Sequence, residues 1–119
     1  MNLKDAFLGL DHYFSPKIIG EVNDQYIKIV KIKGQEIPWH NHENEDELFY
    51  VLKGALLMEM ENVPSQKMKK GDLFVVKKGE NHRVSSKEEC LIMLIESKTT
   101  EHTGKINVAI TKSIEEQMY

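Results

Sequence analysis

Cysteine, tryptophan and proline are scarce in this 119-residue chain, with one, one and three copies respectively. A lone Cys90 excludes an intrachain disulfide and suits a reducing compartment. It opens the apolar run Cys-Leu-Ile-Met-Leu-Ile, where packing is its natural use. No apolar stretch approaches the ~18 residues of a membrane-spanning helix. The N-terminus, with Lys4 and Asp5, lacks the apolar core of a signal peptide, so the expected location is the cytoplasm. Basic charge is not in excess: the net charge is −3 and the lysines are scattered. The doublets Lys69-Lys70 and Lys77-Lys78 read as solvated turns, so neither nucleic acid nor an anionic membrane is an expected partner. A glycine-rich phosphate loop is missing, as is any serine, histidine and aspartate pattern for nucleophilic catalysis.

What is present fits one domain, residues 1–119, with a 40% hydrophobic content sufficient for a core. Leu3, Ala6, Phe7, Leu10 and Phe14 follow helical spacing, so residues 2–10 are expected to form a short lead-in helix that Pro16 closes. Beyond it the apolar period becomes two. Strands are predicted at Lys17–Val22 and Gln25–Lys33 around an Asn23-Asp24 turn, then at Trp39–His42, Glu47–Leu52 and Ala55–Met60. Further strands are predicted at Gln66–Lys69, Asp72–Val76 and Asn81–Ser85, and, after a Lys87-Glu88-Glu89 turn, at Cys90–Glu96. Thr99–Gly104 reads as a polar loop, Ile106–Ile110 as a strand, and Ser113-Ile-Glu-Glu116 has the spacing of a helix capping box. Many short strands with glycine-marked turns predict an all-β sandwich or barrel. Gln25–Lys33 and Ala55–Met60 are apolar on both faces, which calls for a second covering layer or subunit. Met58, Met60 and Met93 read as core filler.

The chemistry is concentrated in two blocks. In the first, Gly34-Gln-Glu-Ile-Pro-Trp-His40-Asn-His42 leads through an acidic stretch to Glu47 and on to Gly54. The second runs from Gly71 through Gly79 to His82. On an extended segment, residues two apart share a face, with roughly 6.5–7 Å between them, so His40 and His42 can reach one ion. Glu47 follows from the next strand and His82 from a distant one. Imidazole nitrogen and carboxylate oxygen suit one divalent transition metal: Fe, Mn, Ni, Cu or Zn. The bland alternative is a polar barrel mouth, and for any single histidine it is the better reading. Four such residues at these spacings favour a metal. Glu45 shares its alternation with Glu47 and competes as a ligand, but Glu47 begins an apolar strand whose pairing fixes its direction. Glu43, Glu45 and Asp46 then read as a solvated acidic turn. Period two carries Phe49 and Val51 inward with Glu47, and Val84 with His82. These three either line an apolar pocket beside the ion or are plain barrel core. Tyr50 and Trp39 fall on the opposite face. His12 and His102 fit neither block and are assigned no role.

The two blocks resemble the signatures of the cupin superfamily, small β-barrels of the jelly-roll, or double-stranded β-helix, type. The first signature is glycine, five residues, His-x-His, four residues, glutamate, six residues, glycine; Gly34, His40, His42, Glu47 and Gly54 fill every fixed position. Gly71, Gly79 and His82 fit the second, with Lys77 in place of the family's proline and Ser86 in place of its asparagine. The resemblance spans about residues 30–96 and implies a single-domain cupin with short helical segments at the termini. It also implies His40, His42, Glu47 and His82 as metal ligands, a small-molecule substrate or ligand, and a homodimer formed by strand exchange. The reaction classes it implies are dioxygenase-like or isomerase-type, on a small oxygenated molecule. Whether the chain is an enzyme stays open against a non-catalytic sensor or binding module, and against a structural barrel that has kept its ligands.

Overall fold

The computed structural model describes residues 1–105 and 111–118. Helix α1 (Leu3–Phe7) is followed by β1 (Lys17–Val22), β2 (Gln25–Gly34), β3 (Glu47–Lys53), β4 (Ala55–Met60) and β5 (Gln66–Lys69). Then come β6 (Leu73–Val76), β7 (His82–Ser97), β8 (His102–Lys105) and α2 (Ile114–Gln117). All strand pairings among the described residues are antiparallel, in the order β1-β2-β7-β3-β6, with β4 on β7 and β5 on β4. The result is a β-barrel of jelly-roll type. None of the described helices is long and apolar enough to cross a membrane.

Alternation decides what the barrel encloses. Val30 and Ile32 of β2, Phe49 and Val51 of β3, Leu56 and Met58 of β4, and Ile92 and Leu94 of β7 project inward as one cluster. The outward-facing Ile29 is covered by Phe7 and Leu10 from the N-terminal segment, so α1 supplies part of the second layer that the doubly apolar β2 demands. Met58 and Met60 are core, whereas Met93 is half-buried on the outer face. Gly54, at φ +84°, makes the β3–β4 turn; a Cβ there would sit 2.5 Å from the Glu89 carbonyl oxygen, so only glycine fits.

Four expectations change. Lys87–Glu89 is not a turn: β7 runs unbroken for 16 residues, because its start pairs with β4 and its end with β2 and β3. The register shifts there, where the Ser86 hydroxyl donates to the Ala55 carbonyl at 2.7 Å and a step of two residues in β2 spans four of β7. Trp39–His42 is not a strand. Pro38 has no N–H to give a ladder, and His42 instead offers its carbonyl to the Gly79 N–H at 2.8 Å. Only His40 pairs, through two backbone hydrogen bonds with His82 (3.1 and 2.8 Å). The lead-in helix is shorter than expected, ending at Phe7 and running into a turn over Leu8 and Gly9. Part of the Thr99–Gly104 loop is strand β8. The strand expected at Ile106–Ile110 lies outside the described residues. The capping box at Ser113 and Glu116 is formed, with reciprocal hydrogen bonds of 3.2 and 3.0 Å.

Candidate metal centre

The bridge between His40 and His82 brings two distant segments together, and the turn held by Gly79 draws His42 beside them. The ring centroids lie 4.4 Å (His40–His82), 5.1 Å (His40–His42) and 5.7 Å (His42–His82) apart. One nitrogen from each ring falls within 4.8 Å of the others, and all three residues are buried. Glu47, the first residue of β3, brings its Oε1 to 3.5 Å from the Nε2 atoms of both His42 and His82.

Hydrogen bonds define the rings. The Nδ1 atoms of His40 and His82 face the carbonyl oxygens of Pro38 (2.8 Å) and Glu80 (3.0 Å). A carbonyl can only accept, so both Nδ1 atoms carry the proton and both Nε2 lone pairs are left bare. The buried Nε2 atoms of His42 and His82 have no hydrogen-bond partner. Buried nitrogens without partners, turned toward a buried carboxylate oxygen, are costly by themselves. A cation among them satisfies every one, and Nδ1–H bonded to a backbone carbonyl is how a ligating histidine is oriented. The donor set fits a divalent transition metal.

A second layer of charge supports Glu47. The buried Lys28 ammonium meets the buried Glu96 carboxyl, and Glu96 shares a hydrogen bond with Glu47. Burial and the neighbouring Glu47 charge push Glu96 well above the usual carboxylate range, against the pull of Lys28. Burial would raise Glu47 too, but the hydrogen bond from Glu96 leads the opposing contacts that hold Glu47 well below that range. The two carboxyls thus share one negative charge, balanced by Lys28.

Burial, then the neighbouring His82, lowers His40 from 6.5 to about 4. His102 falls likewise to about 4, through burial and then Lys28. Unfolding restores both to ordinary values, so between about 6.5 and about 4 the unfolded chain binds protons that the folded one does not. Stability of the metal-free protein is therefore expected to fall as pH drops through that window. Glu96 works in the opposite sense, but two imidazoles outweigh one carboxyl. Urea unfolding should give a lower midpoint at pH 5 than at pH 7; equal midpoints would show that the imidazoles are not buried in neutral form.

Beside these groups lies a cavity of about 40 Å³, lined by His40, Glu47, His82, His102, Phe49 and Val84 among other apolar side chains. That is room for an ion with a small oxygen ligand beside it. Of the residues expected to line a pocket, Phe49 and Val84 do so; Val51 is fully buried in the core and is not among the lining residues. Glu45 is turned away from the cluster, accepting from the Thr99 hydroxyl at 2.7 Å, and Asp46 accepts from the Lys78 N–H at 2.9 Å. Lys77 and Lys78 are exposed, and His12 lies on the surface. Arg83 stacks over the Trp39 ring at 4.7 Å.

Three residues near the site carried no role in the sequence reading. Lys28 shares its alternation with Tyr26, Val30 and Ile32, and Glu96 shares its own with Ile92 and Leu94, so period two places both inside. His102 stood in a polar stretch with no such signal.

The barrel and its histidine cluster define a class, and comparison with known proteins agrees. The family described as "Cupin domain" matches residues 29–96, and the chain belongs to it. The Bacillus subtilis (strain 168) protein YdbB, itself uncharacterized, is 35% identical over 83 residues, covering 70% of this chain and 73% of that protein. A cupin-2 domain containing protein from Shewanella frigidimarina is similar in structure, with TM-score 0.78 and 36% identity, over 82% of this chain and 93% of that one. A Neisseria meningitidis protein gives TM-score 0.74 and 28% identity, over 82% and 97% of the two chains.

Proposed function

We propose that this cupin is a metal-dependent enzyme acting on a small oxygenated organic molecule, with His40, His42, Glu47 and His82 holding one divalent transition ion. The observation that carries the reading is the set of bare, buried imidazole nitrogens around the Glu47 carboxylate. Three neutral imidazoles and one carboxylate leave a divalent centre with a net charge of about +1, which attracts enolates, carboxylates and hydroxy-carbonyls. The ion would supply Lewis-acid polarisation of such an oxygen or, as iron, a place for O₂.

The chain's own residues do the rest. Pro38 and Glu80 carbonyls fix the His40 and His82 rings through their Nδ1 protons. Glu96 holds a proton against Glu47, and Lys28 balances the charge they share. Phe49, Val84 and the surrounding aliphatic side chains give the cavity apolar walls, which strengthen the electrostatic contacts beside them. About 40 Å³ admits only the chelating end of a substrate.

The test is elemental analysis of protein purified without an affinity-tag metal, then reconstitution with Fe(II), Mn(II) or Zn(II). About one ion per chain is expected. Oxygen uptake with enolisable substrates, confined to the iron form, would assign dioxygenase-like chemistry; isomerisation without oxygen in the manganese or zinc form would assign isomerase-type chemistry. Failure to bind any of these ions would overturn the reading.

A further inference from the structure

His102 differs from the other cavity histidines in one respect. His40 and His82 direct Nδ1 at backbone carbonyls, which leaves Nε2 free to coordinate. At His102 the direction is reversed: the Lys112 backbone N–H, which can only donate, meets Nδ1 at 2.9 Å. Nδ1 therefore carries the lone pair, and in the neutral ring the proton sits on Nε2. An Nε2–H cannot ligate a cation, but it can donate to an anionic oxygen. The ring lines the same cavity as His40, Glu47 and His82.

The segment that carries His102 is firmly placed. Next to it, Gly104 (φ +61°) lies so close to the His40–His42 segment that a Cβ there would fall 2.3 Å from the Asn41 carbonyl oxygen. Thr103 and Thr111 join their hydroxyls at 2.8 Å, and the fully buried Gln117 donates to the Lys112 carbonyl at 2.9 Å. That last contact secures the backbone that sets the His102 tautomer. β8 lies beyond residue 96, where the family match ends, so this donor comes from outside the part of the barrel that holds the other polar cavity groups. A fixed donor beside a metal site is the arrangement that orients an oxygen ligand.

We propose that His102 is a substrate-binding residue, whose Nε2–H, set by the Lys112 amide, hydrogen-bonds an oxygen of a small carboxylate or hydroxy-carbonyl ligand seated on the ion. The assignment rests on the metal reading above; the tautomer does not.

The test uses the full chain loaded with Co(II), with glycolate as the probe, and compares wild type with His102→Leu and His102→Gln. Long-range ¹H–¹⁵N spectra of the metal-free wild type, assigned by the signal lost in His102→Gln, are expected to show the Nε2–H form. All three proteins are expected to bind one Co(II) per chain. Glycolate affinity, read from the cobalt absorption bands, is expected to fall roughly ten- to a hundredfold in His102→Leu, the range for losing a hydrogen bond to a charged group. His102→Gln, whose amide restores a donor, is expected to recover most of it. An Nδ1–H tautomer, cobalt lost from His102→Leu, or wild-type glycolate binding that is absent or matched by His102→Leu would each overturn the proposal. Cobalt absent from the wild type would instead sink the metal reading, and this assignment with it.

Discussion

Replacing His40 and His42 together with alanine is expected to lower bound metal from about one ion per chain to less than roughly a tenth. Both rings are buried with a nitrogen turned into the cluster, and neither sits in a long strand ladder whose loss would unravel the barrel. What remains, Glu47 and His82, is a two-point site with little hold on a transition ion. The β2–β7 and β3–β7 ladders do not involve either side chain, so far-ultraviolet circular dichroism is expected to keep its strand signature. Metal analysis after dialysis reads the outcome directly. Stoichiometric metal in the double variant would place the ion elsewhere, and a loss of metal accompanied by a lost β signature would mean that the rings hold the fold.

The second large effect belongs to Lys28. Its ammonium is about 1% exposed and pairs with Glu96, which in turn hydrogen-bonds Glu47. Lys28→Met keeps the apolar stem but leaves one negative charge, spread over two buried carboxyls, without a counter-ion. Breaking a buried pair from one side costs about 3–5 kcal/mol, and urea unfolding of the metal-free protein should lose about that much. Removing the stranded charge as well, in Lys28→Met/Glu47→Gln, should recover around half, because the amide oxygen introduced at position 47 still accepts from Glu96. Saturating divalent metal should narrow the gap in the single variant by supplying the missing positive charge. A Lys28→Met protein within about 1 kcal/mol of wild type would show that the two carboxyls carry no net charge that needs balancing.

Much of this site could be read from residue order, because its parts are local. Glu47 opens an apolar strand, so its direction follows from Leu48 to Leu52. Gly54 and Gly79 mark turns whose positive φ values only glycine takes easily. The strand limits of β1, β4 and β5 coincide with the apolar alternation for the same reason. What could not be read depends on closure. Lys87-Glu88-Glu89 has the polarity of a turn, yet it bridges two ladders that neither half of β7 specifies by itself. His40 is aimed by one bridge to a residue 42 positions away. Lys28 and Glu96 fall on inward positions by alternation, but a buried charge needs a partner, and theirs is assembled from three different strands. His102 acquires a place only through a backbone amide ten residues farther on.

The unbroken β7 carries a kinetic meaning. It begins at His82 and reaches Glu96 one residue before its end, pairing with β4 at its start and with β2 and β3 near its finish. The cluster therefore has no precursor in any hairpin: His40 and His42 follow β2, Glu47 starts β3 and His82 opens β7, so three separate segments must meet before it exists. Such contacts across the sequence must wait for the segments to be brought together, so the site belongs to the closed barrel and to no smaller piece of it. An ion that binds only the closed barrel leaves the early steps untouched and acts on the last one, slowing the reopening of β7 in proportion to its own affinity. Metal supply would then govern how long each molecule lasts once folded, not how fast it gets there.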